Sequence, residues 1–406
     1  MLRLSAPGRV LVHLLGLVLF AMLLAPARAA DDAKPVEPAA ATDAATDYTI
    51  ADGEPAAVLE AIQKLAAQRP KGANREEMIA DFKKIQTAIG QAADKLLVPD
   101  GKPEIVLQVI PLKVQSLGML ARFGDPDAAG QLTAVLKDWV DPRLADATPE
   151  VSAALIPLKL QALGLLAQLK QEGAAEKLVE FIRGPLTAQL DKQPITQQLA
   201  GLAMSAAQTL EYSGKTEEAA AVYREFAGRF TKSDDPAVRA QAERLEACAR
   251  RMSLPGNFME ISGTLVDGMP LDWSSYRGRV VLVDFWATWC GPCIGELPNV
   301  KKNYELYHDR GFDVLGISLD SDKEALVKFI ADNKLPWACL YSDDADNNGW
   351  KHPMAVHYGI NAIPAVLLLD KEGKVVEMNA RGDKLGEALE RLLGPPGEAA
   401  GAGSGK

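Results

Sequence analysis

Cys290 and Cys293 stand where an apolar run meets a helix-compatible segment, and that placement is what gives them chemistry. Val280-Val-Leu-Val283 is apolar and β-branched, the pattern of a strand buried on both faces. Asp284-Phe-Trp-Ala-Thr-Trp289 leads from it into Cys290-Gly-Pro-Cys293, and Ile294 to His308 then reads as helix. A C-x-x-C at such a junction is a redox arrangement. Cys290 falls at the helix N-terminus, where unsatisfied N–H groups and the macrodipole favour a thiolate. Cys293 lies one turn further on the same face, near enough to close a disulfide onto Cys290. Cys290 is therefore the expected nucleophile and Cys293 the resolving thiol. The competing uses of such a pair are a structural bridge and half a zinc site. The chain has only four cysteines, the others being Cys248 and Cys339, and no second C-x-x-C or spaced Cys/His pair completes four ligands. No metal and no cofactor are expected.

The segment Val283-Asp-Phe-Trp-Ala-Thr-Trp-Cys-Gly-Pro-Cys293 resembles the active-site segment of the thioredoxins. Its continuation, Cys293-Ile-Gly-Glu-Leu-Pro298, resembles the exported TlpA/ResA-type thiol–disulfide oxidoreductases. A second signature, Tyr358-Gly-Ile-Asn-Ala-Ile363-Pro364, precedes the apolar run Ala365 to Leu369. The resemblance covers residues 253–394, about a third of the chain. It implies an α/β thioredoxin-like domain in which Pro364 is cis, faces the cysteines and turns the Ile363 backbone towards an extended substrate chain. By the same resemblance, Gly291-Pro292 leans towards reduction of substrates.

Two carboxylates are candidates for moving the proton. Asp284 occupies the position of the buried thioredoxin Asp, where many TlpA/ResA-like proteins carry Asn. Glu296 matches the acidic residue of the C-x-x-C-x-x-E-x-P pattern. Burial at the end of an apolar strand raises a carboxyl pKa towards the working pH. Asp284 is accordingly expected to accept the Cys293 proton, with Glu296 tuning Cys290 from a more open helix face. The reverse assignment stays open. Trp289 is expected as an exposed apolar wall for substrate, Trp286 as packing. Cys248 and Cys339 are expected as buried free thiols.

The elements that must position these residues follow from the pattern after Leu254-Pro-Gly, where strand and helix signals alternate. Strands are expected near 260–265, 280–285, 314–319, 338–341, 365–369 and 375–378. Helices are expected near 292–308, 323–333, 351–357 and 385–393.

Residues 48–251 read instead as an all-α domain of helical hairpins, either a repeat array or an irregular bundle. Ile110-Pro-Leu-Lys-Val-Gln-Ser-Leu-Gly-Met-Leu-Ala121 recurs as Ile156-Pro-Leu-Lys-Leu-Gln-Ala-Leu-Gly-Leu-Leu-Ala167, an offset of 46 residues that suits a two-helix unit. Thr148 before Pro149 reads as an N-cap with Pro at the first helical position. Pro111 and Pro157 fall inside helices. Gly214-Lys215-Thr216 lacks the upstream glycine of a phosphate loop and reads as a helix–helix turn with Thr216 as the cap.

The chain has 406 residues, 48% hydrophobic and 24% charged, the balance of a soluble globular protein. Its net charge of -10 argues against nucleic acid and anionic membrane surfaces as partners. Arg3 and Arg9, the apolar stretch Val10 to Leu24 and Ala27-Arg28-Ala29 make residues 1–29 a cleavable signal peptide, an uncleaved anchor being the alternative. Residues 30–47 read as a disordered linker and 395–406 as a disordered tail. An exported setting, periplasmic or otherwise, follows, where disulfides persist.

The expected activity is thiol–disulfide exchange on protein substrates, run as a reductase. The resemblance implies a membrane electron donor, and haem-attachment cysteines of apocytochromes c are among the candidate substrates. Two rivals remain. One is a thiol peroxidase, although Val283 and Ala287 stand where peroxiredoxins carry the Pro and Thr/Ser before their reactive Cys. The other is a helical module that binds a protein partner and delivers the redox domain to it.

Overall fold

A computed structural model describes residues 47–395 apart from 146 and 193. The expected leader, all of the linker but Asp47, and the tail beyond Pro395 lie outside the described residues. The chain divides into two compact units between Ala162 and Leu163.

Helices α1 (Pro55–Ala66) and α2 (Arg75–Leu96) lead into a unit that occurs twice. Its first copy is α3 (Pro103–Arg122), α4 (Ala128–Val135), a π-helical turn (Leu136–Val140) and α5 (Asp141–Ala145). Its second is α6 (Pro149–Gln168), α7 (Ala174–Phe181), a π-helical turn (Ile182–Leu186) and α8 (Thr187–Lys192). Every element of the second copy starts 46 residues after its counterpart, the offset of the sequence repeat. The local devices also recur. Pro103 and Pro149 open their helices, where a missing N–H costs nothing, and Thr148 Oγ1 accepts from Val151 N at 3.4 Å. Pro111 and Pro157 lie inside α3 and α6. The lysine of each Ile-Pro-Leu-Lys run reaches a carboxylate on an earlier helix: Lys113 to Asp94 and Lys159 to Asp141, both at 2.7 Å.

Helices α9 (Gln197–Tyr212), α10 (Thr216–Phe230) and α11 (Pro236–Met252) follow. Thr216 begins α10 and does not cap it. Gly214 closes α9 with a φ of 79°, and Lys215 fills the cap position while its Nζ reaches Glu176.

The remaining elements are β1 (Val280–Trp286), α12 (Gly291–Tyr307), β2 (Phe312–Ser318), α13 (Lys323–Asp332), β3 (Ala338–Leu340), α14 (Pro353–His357), β4 (Ala365–Leu369), β5 (Val375–Met378) and α15 (Asp383–Leu393). The sheet order is β3-β2-β1-β4-β5. β1, β2 and β3 are parallel, while β4 runs antiparallel to both β1 and β5. This is the expected thioredoxin-like α/β domain behind a helical region. β1 is central and buried along its whole length, which its unbroken apolar run requires. Val280 and Leu282 pack with Leu297 and Val300 of α12 and Leu385 and Leu389 of α15, while Val281, Val283 and Phe285 pack with Met354 and Ala355 of α14.

The strand expected at 260–265 does not form. Thr264 and Leu265 make single bridges to Pro270 and Leu340. Gly263, with φ 150°, and Gly268, with φ 90°, fold this stretch back on itself, and Pro270 has no N–H to extend a ladder. The change from helices to alternating elements near 252–254 falls inside the second compact unit.

Candidate active site

The turn between β1 and α12 is held from below. Asp320, buried just beyond β2, accepts from Thr288 N at 3.1 Å, Thr288 Oγ1 at 2.6 Å and Ser318 Oγ at 2.8 Å. Cys290 N donates back to Ala287 O at 3.1 Å. This aims Cys290 at the start of α12, where its Sγ accepts from Cys293 N at 3.2 Å in the place of a capping side chain. A helix N-cap is where a sulfur carrying negative charge is best accommodated. The two sulfurs are joined in a disulfide, with Cα atoms 5.3 Å apart. Gly291 and Pro292 between them are exposed, whereas both cysteines are buried.

Asp284 lies in β1, paired in register with Gly316 of β2 and Val366 of β4. It is buried, and its Oδ1 has no hydrogen-bond partner among the described residues. Burial pushes its pKa up to about 7, the Glu296 charge adds to the rise, and Arg381 opposes it. A carboxyl group in that range exchanges a proton at neutral pH. Glu296 lies on α12, half-buried. Its Oε1 accepts from Gly382 N at 2.7 Å and Asn299 Nδ2 at 2.6 Å, so it also ties α12 to the loop after β5.

Trp289 is 56% exposed beside Cys290, and Trp286 is buried, as their positions imply. Trp350, not singled out from sequence, lies 6.1 Å from Trp289 between ring centroids and is 46% exposed. The Ile363–Pro364 bond is cis. Ala365 pairs with Phe285, so Ile363 and Pro364 enter β4 at the end of the sheet from which the cysteine turn leaves β1. Ile363 packs against the cluster that contains Cys290 and Cys293. Cys248 and Cys339 are free and buried, and burial pushes the Cys339 thiol up to about 12.

Sequence reasoning missed Asp320, Trp350 and Gly382. The Ser318-Leu-Asp320 sequence where β2 ends is a signal for the first, a polar pair just at and beyond the close of a buried strand. The other two act through contacts between distant segments.

A Cys-x-x-Cys disulfide at a helix cap, following a strand that carries a buried, protonatable carboxyl group, on a sheet of this order, defines a thioredoxin-like thiol–disulfide oxidoreductase. Residues 253–392 match the Redoxin family. Over 132 residues the chain is 30% identical to the thiol-disulfide oxidoreductase ResA of Bacillus thuringiensis subsp. konkukian, covering 32% of this chain and 70% of that protein. It is 28% identical over 138 residues to ResA of Bacillus anthracis, with the same coverage. Among solved structures, the thioredoxin domain of a thiol-disulfide oxidoreductase from Bacteroides vulgatus is 31% identical, with a TM-score of 0.31, over 34% of this chain and 97% of that domain. Through its C-terminal third the chain belongs to the ResA family of thiol–disulfide oxidoreductases.

Proposed function

We propose that this enzyme is exported and reduces disulfides in protein substrates through Cys290 and Cys293. The observation that carries the reading is Cys290 at the α12 cap, with the buried Asp284 carboxyl group six residues upstream in β1. In the reduced enzyme, the Cys290 thiolate attacks one sulfur of the substrate disulfide. That bond breaks, a mixed disulfide forms, and one substrate thiolate leaves. Cys293 gives its proton to Asp284 and attacks the Cys290 sulfur, releasing the second substrate thiolate and closing the enzyme disulfide. Two electrons pass from the dithiol to the substrate. Trp289, Gly291, Pro292, Ile363 and Pro364 form the surface on which the substrate chain lies. Glu296 tunes Cys290 and holds α12 in place.

The basic-apolar-small pattern of residues 1–29 supports export, and export calls for a donor that re-reduces the pair, most simply a membrane thiol carrier. The test is reduction of a disulfide-bridged protein by the pre-reduced full chain. Cys290→Ser is expected to abolish turnover, and Cys293→Ser to accumulate mixed disulfides whose partners identify the substrates. Asp284→Asn is expected to slow release from the mixed disulfide without changing the first attack. Glu296→Gln is expected to shift the pH dependence of Cys290 alkylation. Stopped-flow traces in which Glu296→Gln alone slows resolution would reverse those two roles.

A further inference from the structure

The last turn of α11 grips the segment that leads into Pro364. Arg251 is 8% exposed, and its guanidinium is used on two sides. Nε donates to Tyr358 O at 3.0 Å, while Nη1 and Nη2 donate to Glu211 Oε1 at 2.5 Å and Oε2 at 3.1 Å. Glu211, on α9, accepts a further bond from Tyr223 OH of α10 at 2.9 Å. Arg251 thus joins α11 and α9 directly, and α10 through Glu211, to a single backbone carbonyl. Only a planar fork with a separate Nε donor does this, so lysine is no equivalent.

The neighbouring contacts tighten the same place. Arg250 Nη1 donates to His357 O. Gly359, with φ 58°, comes so close to α11 that a Cβ there would lie 2.7 Å from Cys248 N and 2.9 Å from Cys248 Sγ. Tyr358 is buried, and its hydroxyl accepts from Glu260 N at 3.0 Å and donates to Glu260 O at 2.9 Å. Past Gly359, Ile360 N donates to Ala355 O at 2.8 Å, and the chain runs through Ile363, packed in the cluster of Cys290 and Cys293, into β4. The upstream end of the 358–364 segment is therefore set by the helices, and the downstream end by pairing of β4 with β1.

The geometry points to Arg251 as a positioning residue for substrate: α9, α10 and α11 form a frame that holds residues 358–364 where an extended polypeptide flanking the substrate disulfide is bound. The inference rests on the disulfide reductase reading given above. It makes the helical region part of the enzyme's affinity for chain-flanked disulfides. A small disulfide, which needs only Cys290, is outside its reach.

The test compares two substrates on the full chain: a disulfide-bridged peptide and a small aromatic disulfide such as 5,5′-dithiobis(2-nitrobenzoate). Arg251→Met and Gly359→Ala are expected to raise KM for the peptide by about five- to tenfold, since small displacements of positioning groups are costly. Their rates with the small disulfide, and the pH profile of Cys290 alkylation, stay within about twofold of wild type, because the α12 cap is untouched. Arg251→Lys keeps the cation without the fork and is expected to fall between; it decides the matter if Arg251→Met does not fold. Unchanged peptide KM in folded variants overturns the inference, as does a parallel loss with both substrates. A wild-type chain that reduces neither substrate overturns the reductase reading together with it.

Discussion

The helices and the redox domain both bury charge and partner it, as at Arg251 and Asp320, but among the described residues the redox domain also keeps one buried carboxyl oxygen, on Asp284, unsatisfied. In the helices every buried charge described above has a partner. Arg251 is forked onto Glu211, which also takes the Tyr223 hydroxyl, and Lys113 reaches Gly90 O at 2.9 Å and Asp94 at 2.7 Å. In the redox domain, Asp284 is buried with one oxygen unsatisfied and a pKa pushed up to about 7, by burial first and then by Glu296. Desolvation is the same physics in both places. A partnered charge keeps its ionisation state and fixes geometry. A lone carboxyl group is left free to change protonation, which a proton acceptor requires.

The contrast predicts opposite signs for removing charge, and Asp284→Asn carries the largest effect. Its folded pKa lies above the unfolded value near 3.8, so between those values the native state holds a proton that the unfolded chain has lost. Wild-type stability therefore falls as pH rises from about 4 to about 7, and the full penalty applies above that range. Asp284→Asn in the oxidised protein is expected to leave stability nearly unchanged at pH 4 and to raise it at pH 8. The limit is ~4 kcal/mol, since each tenfold change in proton affinity between the folded and unfolded chain is worth ~1.4 kcal/mol. Denaturant midpoints at the two pH values check this. A loss at pH 8 would show that Asp284 is partnered after all, and an equal gain at both would show that its proton affinity does not change on folding.

Glu211→Ala is the counterpart with the opposite sign. It leaves the Arg251 guanidinium buried without its carboxylate, and such a loss costs about 3 kcal/mol. Replacing Glu211 and Arg251 together with apolar residues should recover a large part of that loss, since no charge is then stranded. A single-mutant cost below ~1 kcal/mol at neutral pH would place this pair with exposed ion pairs and weaken the comparison.

How legible each side was in the sequence follows from the same difference. Cys290, Cys293 and Asp284 owe their placement to local order, a buried strand running into a helix cap, so eleven consecutive residues specify most of the centre. The two-helix repeat was legible because it is written twice, down to the lysines at 113 and 159. The Glu211–Arg251–Tyr358 clamp was not legible. Its two contacts span 40 and 107 residues, and nothing in the neighbourhood of any member announces the others. The expected strand at 260–265 went the other way. Its alternation is real, but Gly263 and the Asp267-Gly268 turn leave too short a stretch to pair. Glu296 was read as a helix-face residue open to substrate, and the contact that changes its meaning, Gly382 N–H, comes from 86 positions downstream.

Lys113→Met is the smallest effect and the sharpest check on what makes a buried charge expensive. The Lys113 side chain is 5% exposed, as deep as that of Arg251, so burial alone predicts a comparable cost on removal. The partners differ. The Asp94 side chain is 61% exposed, against 15% for Glu211, so Asp94 falls back on water when Lys113 is removed. Gly90 O still has its helical N–H donor within α2, and methionine refills the methylene path that the lysine stem occupied. The close approach of α2 and α3 at this point stays supported by Ser116 Oγ, which donates to Gln86 O at 2.7 Å. Lys113→Met is therefore expected to change stability by no more than about 1 kcal/mol in either direction, read from the denaturant midpoint at pH 7. A loss of ~3 kcal/mol, matching Glu211→Ala, would mean that depth of burial and not the fate of the stranded partner sets the cost.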